Sequence, residues 1–129
     1  MFVSSESALR IPVEMVHYGM TKTPQLAVSR GLAESVPASG VTVNAVLPGP
    51  TCTEGVEEML ADRVAGGEAA DTAEAARQFI AAHRPTSLLG RPTTPEQVAN
   101  MIVYVCSEQA SATTGAALRV DHGVVRAIP

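Results

Sequence analysis

The chain has 129 residues, of which 46% are hydrophobic and 17% are charged, and its formal net charge at pH 7 is −4. This length and composition predict one globular domain with a single core and exclude a disordered chain. The basic residues are few and scattered, which argues against a nucleic-acid or anionic-membrane partner.

No apolar run approaches the roughly 18 to 20 residues of a membrane span. The first residues, Met1-Phe2-Val3, do not form a signal peptide, so we expect a cytoplasmic protein. Cys52 and Cys106 are far apart and are expected to be free thiols. The histidines show no metal-ligand spacing, and no metal site is expected.

Met1 to Val3 are expected to be the last residues of a buried strand. Because the chain begins inside that strand, either translation starts here or the sequence is a fragment of a longer protein.

The stretch that follows carries the groups needed for proton transfer: a hydroxyl at Ser5, a phenol at Tyr18 and an ammonium at Lys22. Tyr18 and Lys22 are four residues apart and share one face if the segment is helical. A phenol titrates near pH 10 in water, roughly three units above neutrality. A neighbouring cation favours the phenolate, and a serine hydroxyl can hold a substrate oxygen against it. These groups supply no hydride, so a cofactor must.

Helical spacing from Val16 to about Glu34 predicts a helix that ends in the turn 37–40. Pro24 leaves two alternatives. The helix can continue through it, at a cost of about 3 kcal/mol that tertiary packing can offset. Otherwise Thr23 is an N-cap and Pro24 the first helical residue, with Tyr18 and Lys22 on a preceding loop or turn.

The segment 41–47 is rich in β-branched residues and predicts a parallel strand that is buried on both faces. A loop, Pro48-Gly49-Pro50-Thr51-Cys52-Thr53, follows at its C-terminal end, where open α/β sheets bind their ligands. From the residues alone the simplest explanation of this loop is a rigid turn.

Residues 54–84 predict two amphipathic helices, roughly 55–64 and 72–83, and Asp71 is expected to cap the second. Thr94-Pro95-Glu96-Gln97 predicts the start of a helix that runs to about Cys106. That helix should bury four apolar side chains: Val98, Met101, Ile102 and Val105. A last strand is expected at 117–120. In the first amphipathic helix, Val56, Met59 and Leu60 could line a pocket or pack in the core.

Ser5, the Tyr18-Gly19-Met20-Thr21-Lys22 segment and the later Asn44-Ala45-Val46-Leu47-Pro48-Gly49 segment together resemble the short-chain dehydrogenase/reductases. The resemblance covers nearly the whole chain but only the second half of such an enzyme. It implies the C-terminal part of a Rossmann-type doubly wound parallel α/β sheet, with about three strands and flanking helices. The N-terminal nucleotide-binding half would be absent. The resemblance divides the chain into four segments. These are a catalytic segment (1–35), a strand with the Pro-Gly loop (41–53), an insertion that covers the substrate (54–90), and the last helix and strand (94–123).

The resemblance also implies roles for individual residues in hydride transfer between NAD or NADP and a small carbonyl or alcohol substrate. Tyr18 would be the acid/base and would also contact the cofactor. Lys22 would favour the phenolate and orient the cofactor ribose, and Ser5 would hold the substrate oxygen. The loop would line the nicotinamide through Pro48, Gly49 and Thr51, with the Thr53 hydroxyl reaching towards the carboxamide or the phosphates.

The sequence has no glycine-rich dinucleotide fingerprint after a strand, so cofactor binding by this chain alone is in question. Two alternatives to an active enzyme stay open: a non-catalytic, oligomerising remnant of the family, and one part of a split enzyme. In all three cases the family's sheet would leave an apolar edge and a helix face uncovered. We therefore expect a homo-oligomer or a complementing chain.

Overall fold

A computed structural model describes residues 1–128 as a small α/β unit. Its strands and helices are β1 (Phe2–Val3), α1 (Val16–Ser35), β2 (Ala45–Pro48), α2 (Glu54–Ala65), α3 (Thr72–His83), α4 (Pro95–Val105) and β3 (Ala117–Val120). Short 3-10 turns occur at Glu6–Ala8, Val13–Met15 and Glu108–Ala110. The predicted elements are therefore present in the predicted order.

The three strands form one parallel sheet in the order β1-β2-β3. Central β2 is the most buried, with Ala45, Val46 and Leu47 at most 1% exposed. These findings confirm the predicted α/β class with about three parallel strands. The expectation that the first strand is buried is wrong, because Val3 is 44% exposed. Within residues 1–128, β1 pairs with β2 alone, so its other edge is uncovered.

The predicted strand 41–47 is shorter than expected, because its ladder begins at Ala45. Val43 and Asn44, which precede the ladder, are held by hydrogen bonds to residues 113–116 of the loop before β3. The Val43 amide donates to the Thr114 hydroxyl at 3.0 Å. The Asn44 side chain donates to the Thr113 carbonyl at 2.7 Å and accepts from the Ala116 amide at 3.1 Å. The β-branched composition predicted an extended backbone but not these side-chain bonds.

Helix α1 runs without a break through Pro24, so the alternative that starts a helix at Thr23 is wrong. The Thr23 hydroxyl instead donates to the carbonyls of Gly19 at 2.9 Å and Ala8 at 3.0 Å. The second of these bonds ties the helix to the turn that follows β1. Tertiary contacts of this kind offset the local cost of the proline.

Helices α2 and α3 pack on each other through Leu60, Ala75 and Ala76. Helix α3 begins at Asp71, whose side chain accepts from the Glu74 amide at 2.7 Å, as predicted.

Helix α4 begins with the predicted capping box of Thr94 and Gln97. Of its four expected core residues only Val105 is buried, and the others are half-buried. The helix packs over β2 and β3, so only a narrow stripe of its surface is covered within the described chain.

Candidate active site

The residues that follow the three strands lie at the C-terminal edge of the sheet. Ser5 follows β1, Gly49 follows β2, and Asp121 and His122 follow β3. Because the strands are parallel, their carboxyl ends lie at the same edge, which is where α/β folds bind ligands.

A cleft of about 340 Å³ opens at this edge. It is lined by Ser5, Glu6, Ser7, Met15, Tyr18, Gly49, Pro50, Thr51, Val56, Phe79 and Arg84. Four predicted residues, Ser5, Tyr18, Gly49 and Thr51, therefore share one cavity. Val56 also reaches it, whereas Leu60 packs in the core.

The other three predicted residues lie near the cleft without lining it. Pro48 is the last residue of β2, and Thr53 is the exposed N-cap of α2, where its side chain makes no capping bond. The Lys22 ammonium is 5.5 Å from the centroid of the Tyr18 ring, within reach of a cation–π contact. The four-residue spacing has therefore placed the amine beside the phenol, as the helical pattern predicted.

The turn at Ser5–Ala8, here called the serine turn, lies close to helix α1. This close approach is possible because residue 19 is a glycine. A Cβ at Gly19 would lie 2.6 Å from the Ile11 Cγ2 atom and 3.0 Å from the Ser7 carbonyl oxygen. The Ser4 hydroxyl adds a hydrogen bond of 2.9 Å to the carbonyl of Lys22. These contacts fix Tyr18 and Lys22 relative to Ser5.

The Pro-Gly loop is held by Thr93, a buried residue between α3 and α4. The Thr93 amide donates to the Pro50 carbonyl at 3.0 Å, and its hydroxyl lies 3.0 Å from the Thr51 hydroxyl. On the sheet side, a Cβ at Gly49 would lie 2.9 Å from both the Asp121 Cα and the His122 Nε2 atoms. The glycine thus lets the loop pass over the end of β3.

Behind Ser5 lies a buried ion pair. The Glu6 carboxylate accepts from the Arg84 Nε atom at 2.6 Å, and the two side chains are 3% and 11% exposed. The Ser5 hydroxyl donates to the other carboxylate oxygen of Glu6 at 2.7 Å. The pair joins the serine turn to the residue that follows α3, across 78 positions of sequence.

His122 follows β3 and joins the C-terminal edge of the sheet to the loop at residues 87–89. It is 6% exposed and has a left-handed backbone with φ of 45°. Its Nδ1 atom lies 2.8 Å from the Ser87 hydroxyl, and its backbone carbonyl accepts from the Leu88 amide at 2.9 Å. Burial lowers the pKa of His122, and the nearby carboxylates of Asp121 and Glu6 oppose part of that effect.

Sequence reasoning missed four residues of this edge: Glu6, Arg84, Thr93 and His122. Glu6 had a usable signal, since it is an acidic residue among small neighbours directly after a strand. Arg84 and Thr93 had none, because their partners are distant in sequence.

Residues 1–128 contain no cluster of three or more His, Cys, Asp or Glu side chains able to hold a metal ion. Cys52 and Cys106 are both free thiols. Within the described chain no helix combines the length and the hydropathy that a membrane crossing requires.

Comparison with known proteins identifies the family of this chain. A family model described as enoyl-(acyl carrier protein) reductase matches residues 1–125. The chain is 46% identical over 127 residues to the uncharacterized oxidoreductase YvaG of Bacillus subtilis (strain 168), covering 98% of this chain and 48% of the relative. This chain belongs to the short-chain dehydrogenase/reductase family.

Other members of the short-chain dehydrogenase/reductase family match over a similar share. The L-rhamnose 1-dehydrogenase (NAD(P)(+)) of Sphingomonas sp. (strain SKA58) is 35% identical, over 95% of this chain and 42% of the relative. The crystal structure of L-sorbose reductase from Gluconobacter frateurii, complexed with NADPH and L-sorbose, superposes with a TM-score of 0.81 at 25% identity. That superposition covers 98% of this chain and 46% of the reductase. The chain spans about half the length of the curated relatives it matches.

Proposed function

We propose that the chain provides the reaction face of an oxidoreductase that transfers a hydride between NAD or NADP and a small carbonyl or alcohol substrate. The observation that carries this proposal is the single cleft that Ser5 and Tyr18 line together, with the Lys22 ammonium 5.5 Å from the Tyr18 ring centroid. Hydroxyl, phenol and ammonium are the groups that carbonyl–alcohol chemistry needs for proton transfer.

The named relatives support the choice of substrate class. One is called a dehydrogenase of L-rhamnose with NAD(P)(+), and one structure holds NADPH together with L-sorbose. Each of these names pairs a nicotinamide cofactor with a sugar, whose reactive groups are alcohols and carbonyls.

Each proposed catalytic residue has a physical task. Tyr18 gives a proton to the carbonyl oxygen or takes one from the alcohol. Lys22 stabilises the phenolate because its positive charge lies close to the ring. Ser5 contacts the same substrate oxygen and fixes its position relative to the phenol.

The polar groups of the cleft fit the reactive end of a nicotinamide cofactor. Thr51 lines the cleft beside Gly49 and Pro50. Lys22 lies next to the Tyr18 ring, outside this lining, and supplies a cation for a ribose oxygen. Pro48 and Thr53 flank this loop and would complete its contacts. When bound, the cofactor supplies or accepts the hydride.

We further propose that the chain works in association with a second copy or with another polypeptide. Large apolar side chains are exposed along α1, where Met20 is 62%, Val28 is 50% and Leu32 is 43% exposed. Several large apolar side chains exposed on one helix are typical of an interaction site.

Cofactor titration tests the proposed function and separates it from the non-catalytic alternative. NADH and NADPH are titrated into the purified chain while cofactor fluorescence and the thermal unfolding midpoint are followed. We expect a saturable fluorescence change and a rise in the midpoint, because a ligand that binds only the folded state stabilises it. Neither change, with either cofactor, would favour the non-catalytic remnant.

A further inference from the structure

The two oxygens of the Glu6 carboxylate differ in how far their hydrogen-bonding capacity is used. Oε2 accepts from the Ser5 hydroxyl at 2.7 Å, the Ser7 amide at 2.7 Å and the Ser7 hydroxyl at 3.0 Å. Within residues 1–128, Oε1 accepts only from the Arg84 Nε atom, at 2.6 Å. Each oxygen of an ionised carboxylate has about two acceptor sites. Oε1 can therefore accept one further hydrogen.

The Arg84 guanidinium has unused donors. Its Nε atom donates to Glu6, and its Nη1 atom donates to the His83 carbonyl at 2.9 Å. In the described part of the chain, Nη2 donates to no acceptor. The buried side-chain atoms that lack a partner there are Gln25 Oε1 and His122 Nε2, and Nη2 is not one of them. Nη2 therefore reaches open space.

The free acceptor and the free donor lie side by side. Nε and Nη2 are bonded to the same carbon of the planar guanidinium, so Nη2 is close to the oxygen that Nε contacts. Glu6 and Arg84 both line the cleft that Ser5 and Tyr18 line. The wall of the cleft thus presents an acceptor next to a donor, on the carboxylate whose other oxygen contacts Ser5.

A neutral hydroxyl group fits such a pair. It can accept a hydrogen from Nη2 and donate its own hydrogen to Oε1 at the same time. A carboxylate would face the negative charge of Glu6, and an ammonium would face the positive charge of Arg84. The two charges of the pair also offset each other, so neither kind of ion gains a net attraction.

We propose that Glu6 Oε1 and Arg84 Nη2 form a subsite for a second hydroxyl group of the substrate, which favours a diol, a polyol or a sugar over a simple alcohol. The reacting oxygen of the same molecule lies at Ser5 and Tyr18, which rests on the proposed function. A ligand without the second hydroxyl leaves the donor and the acceptor unpaired. The Glu6 and Arg84 side chains are 3% and 11% exposed, so little water can replace the missing partner.

A set of matched ligands tests the proposal. Cyclohexanol and the cis isomers of cyclohexane-1,2-diol, cyclohexane-1,3-diol and cyclohexane-1,4-diol are titrated separately into the isotope-labelled chain. The amide signals of Ser7 and Thr51 and the Nε–H signal of Arg84 are followed by nuclear magnetic resonance. We expect at least one diol to bind about tenfold more tightly than cyclohexanol, from the usual net gain of hydrogen bonds to charged groups. That diol should also shift the Arg84 signal more than cyclohexanol does.

Four results would overturn the proposal. The first two are equal binding of cyclohexanol and all three diols, and the absence of binding by every ligand. The third is a set of shifts confined to Ile11 and Val13, which line a separate cavity of about 170 Å³ that Arg84 also borders. The fourth is tighter binding of cis-2-hydroxycyclohexane-1-carboxylate than of any diol, which would assign Arg84 to the recognition of an anion.

The variant Arg84→Lys tests the cause of the preference. Lysine keeps the positive charge beside Glu6 but removes the planar fork and its Nη2 donor. The diols should then bind no more tightly than cyclohexanol, and a preference that persists would contradict the subsite. Arg30→Lys is the matched control and should keep the preference, because Arg30 pairs with Glu34 at 2.7 Å on the exposed surface of α1. Thermal unfolding shows whether each variant is folded, and the comparison in the unmodified chain needs no variant.

The two proposals fail in different ways. If the chain binds NADH or NADPH but binds no diol more tightly than cyclohexanol, the subsite is wrong and the proposed function stands. If neither cofactor binds but a diol is preferred in the unmodified chain and not in Arg84→Lys, the subsite stands and the proposed function is wrong.

Discussion

The hydroxyl of Ser4 donates a hydrogen bond to the backbone carbonyl of Lys22 at 2.9 Å, which joins the end of the first strand to the helix that carries the phenol. Ser4→Ala should lower the free energy of unfolding by about 1 kcal/mol, because a buried donor is lost. Urea denaturation measures the change. Ser35→Ala is the control, since Ser35 makes a similar bond to the Leu32 carbonyl at an exposed position. Equal effects of the two substitutions would contradict the structural role of Ser4.

Gly19 and Gly31 lie in the same helix but differ in the space around them. A Cβ at Gly19 would meet the Ile11 side chain at 2.6 Å, whereas nothing lies within 4 Å of one at Gly31. Gly31→Ala should stabilise the chain by up to about 1 kcal/mol through helix propensity. Gly19→Ala should destabilise it by about 1 to 3 kcal/mol through overpacking. Thermal unfolding of both variants gives the comparison, and a stabilising Gly19→Ala would show that α1 is not packed on the serine turn as described.

The sequence predicted elements well where the signal was local, as the capping box at Thr94 and Gln97 shows. It left the course of the helix at Pro24 open, because the answer depends on the bond from Thr23 to Ala8, fifteen residues away. It also identified Ser5 without the carboxylate that binds it. Glu6 is informative only once Arg84 is known to be its partner, and no local pattern connects residues so far apart.

Replacing the phenol tests the proposed acid/base. In any preparation that turns over an alcohol or carbonyl substrate, Tyr18→Phe should lower kcat by at least about 100-fold, because general acid–base catalysis is lost. Cofactor affinity should change little. Tyr104→Phe is the matched control, since Tyr104 is half exposed on α4, which lies away from the cleft. Retained turnover in Tyr18→Phe would remove Tyr18 from the reaction.

His122 should make stability depend on pH. Burial lowers its pKa in the folded chain below the usual value of about 6.5, so the unfolded chain binds a proton first as the pH falls. The stabilisation is present above about pH 6.5 and is lost as the pH decreases towards the folded pKa. Urea denaturation at several pH values from 7 down to 5 measures the slope.

The variant His122→Asn should flatten this slope, and asparagine tolerates the left-handed backbone at that position. His17→Asn is the control, because His17 is exposed at the start of α1. A slope that is unchanged in His122→Asn would assign the pH dependence to other groups.

The exposed apolar side chains of α1 lead us to expect association. Light scattering at micromolar concentration should give a mass above that of one chain. Replacing Val28 and Leu32 together by lysine should shift the mass towards the monomer, because charged side chains resist burial. Replacing Ser35 by lysine, on the same helix but at a polar position, should not. A monodisperse monomer of the unmodified chain would contradict the expectation.

Pro24 also affects how the helix comes apart. Proline has no amide hydrogen, so the carbonyl four residues earlier, that of Met20, lacks the partner it would have in an uninterrupted ladder. Fraying that starts at the C-terminal end near Ser35 therefore reaches the missing hydrogen bond at Pro24 before it reaches Lys22. The turns that hold Tyr18 and Lys22 are anchored separately, through Ser4 and Gly19. Local opening of the outer half of the helix is therefore expected to stop before the reacting groups lose their spacing.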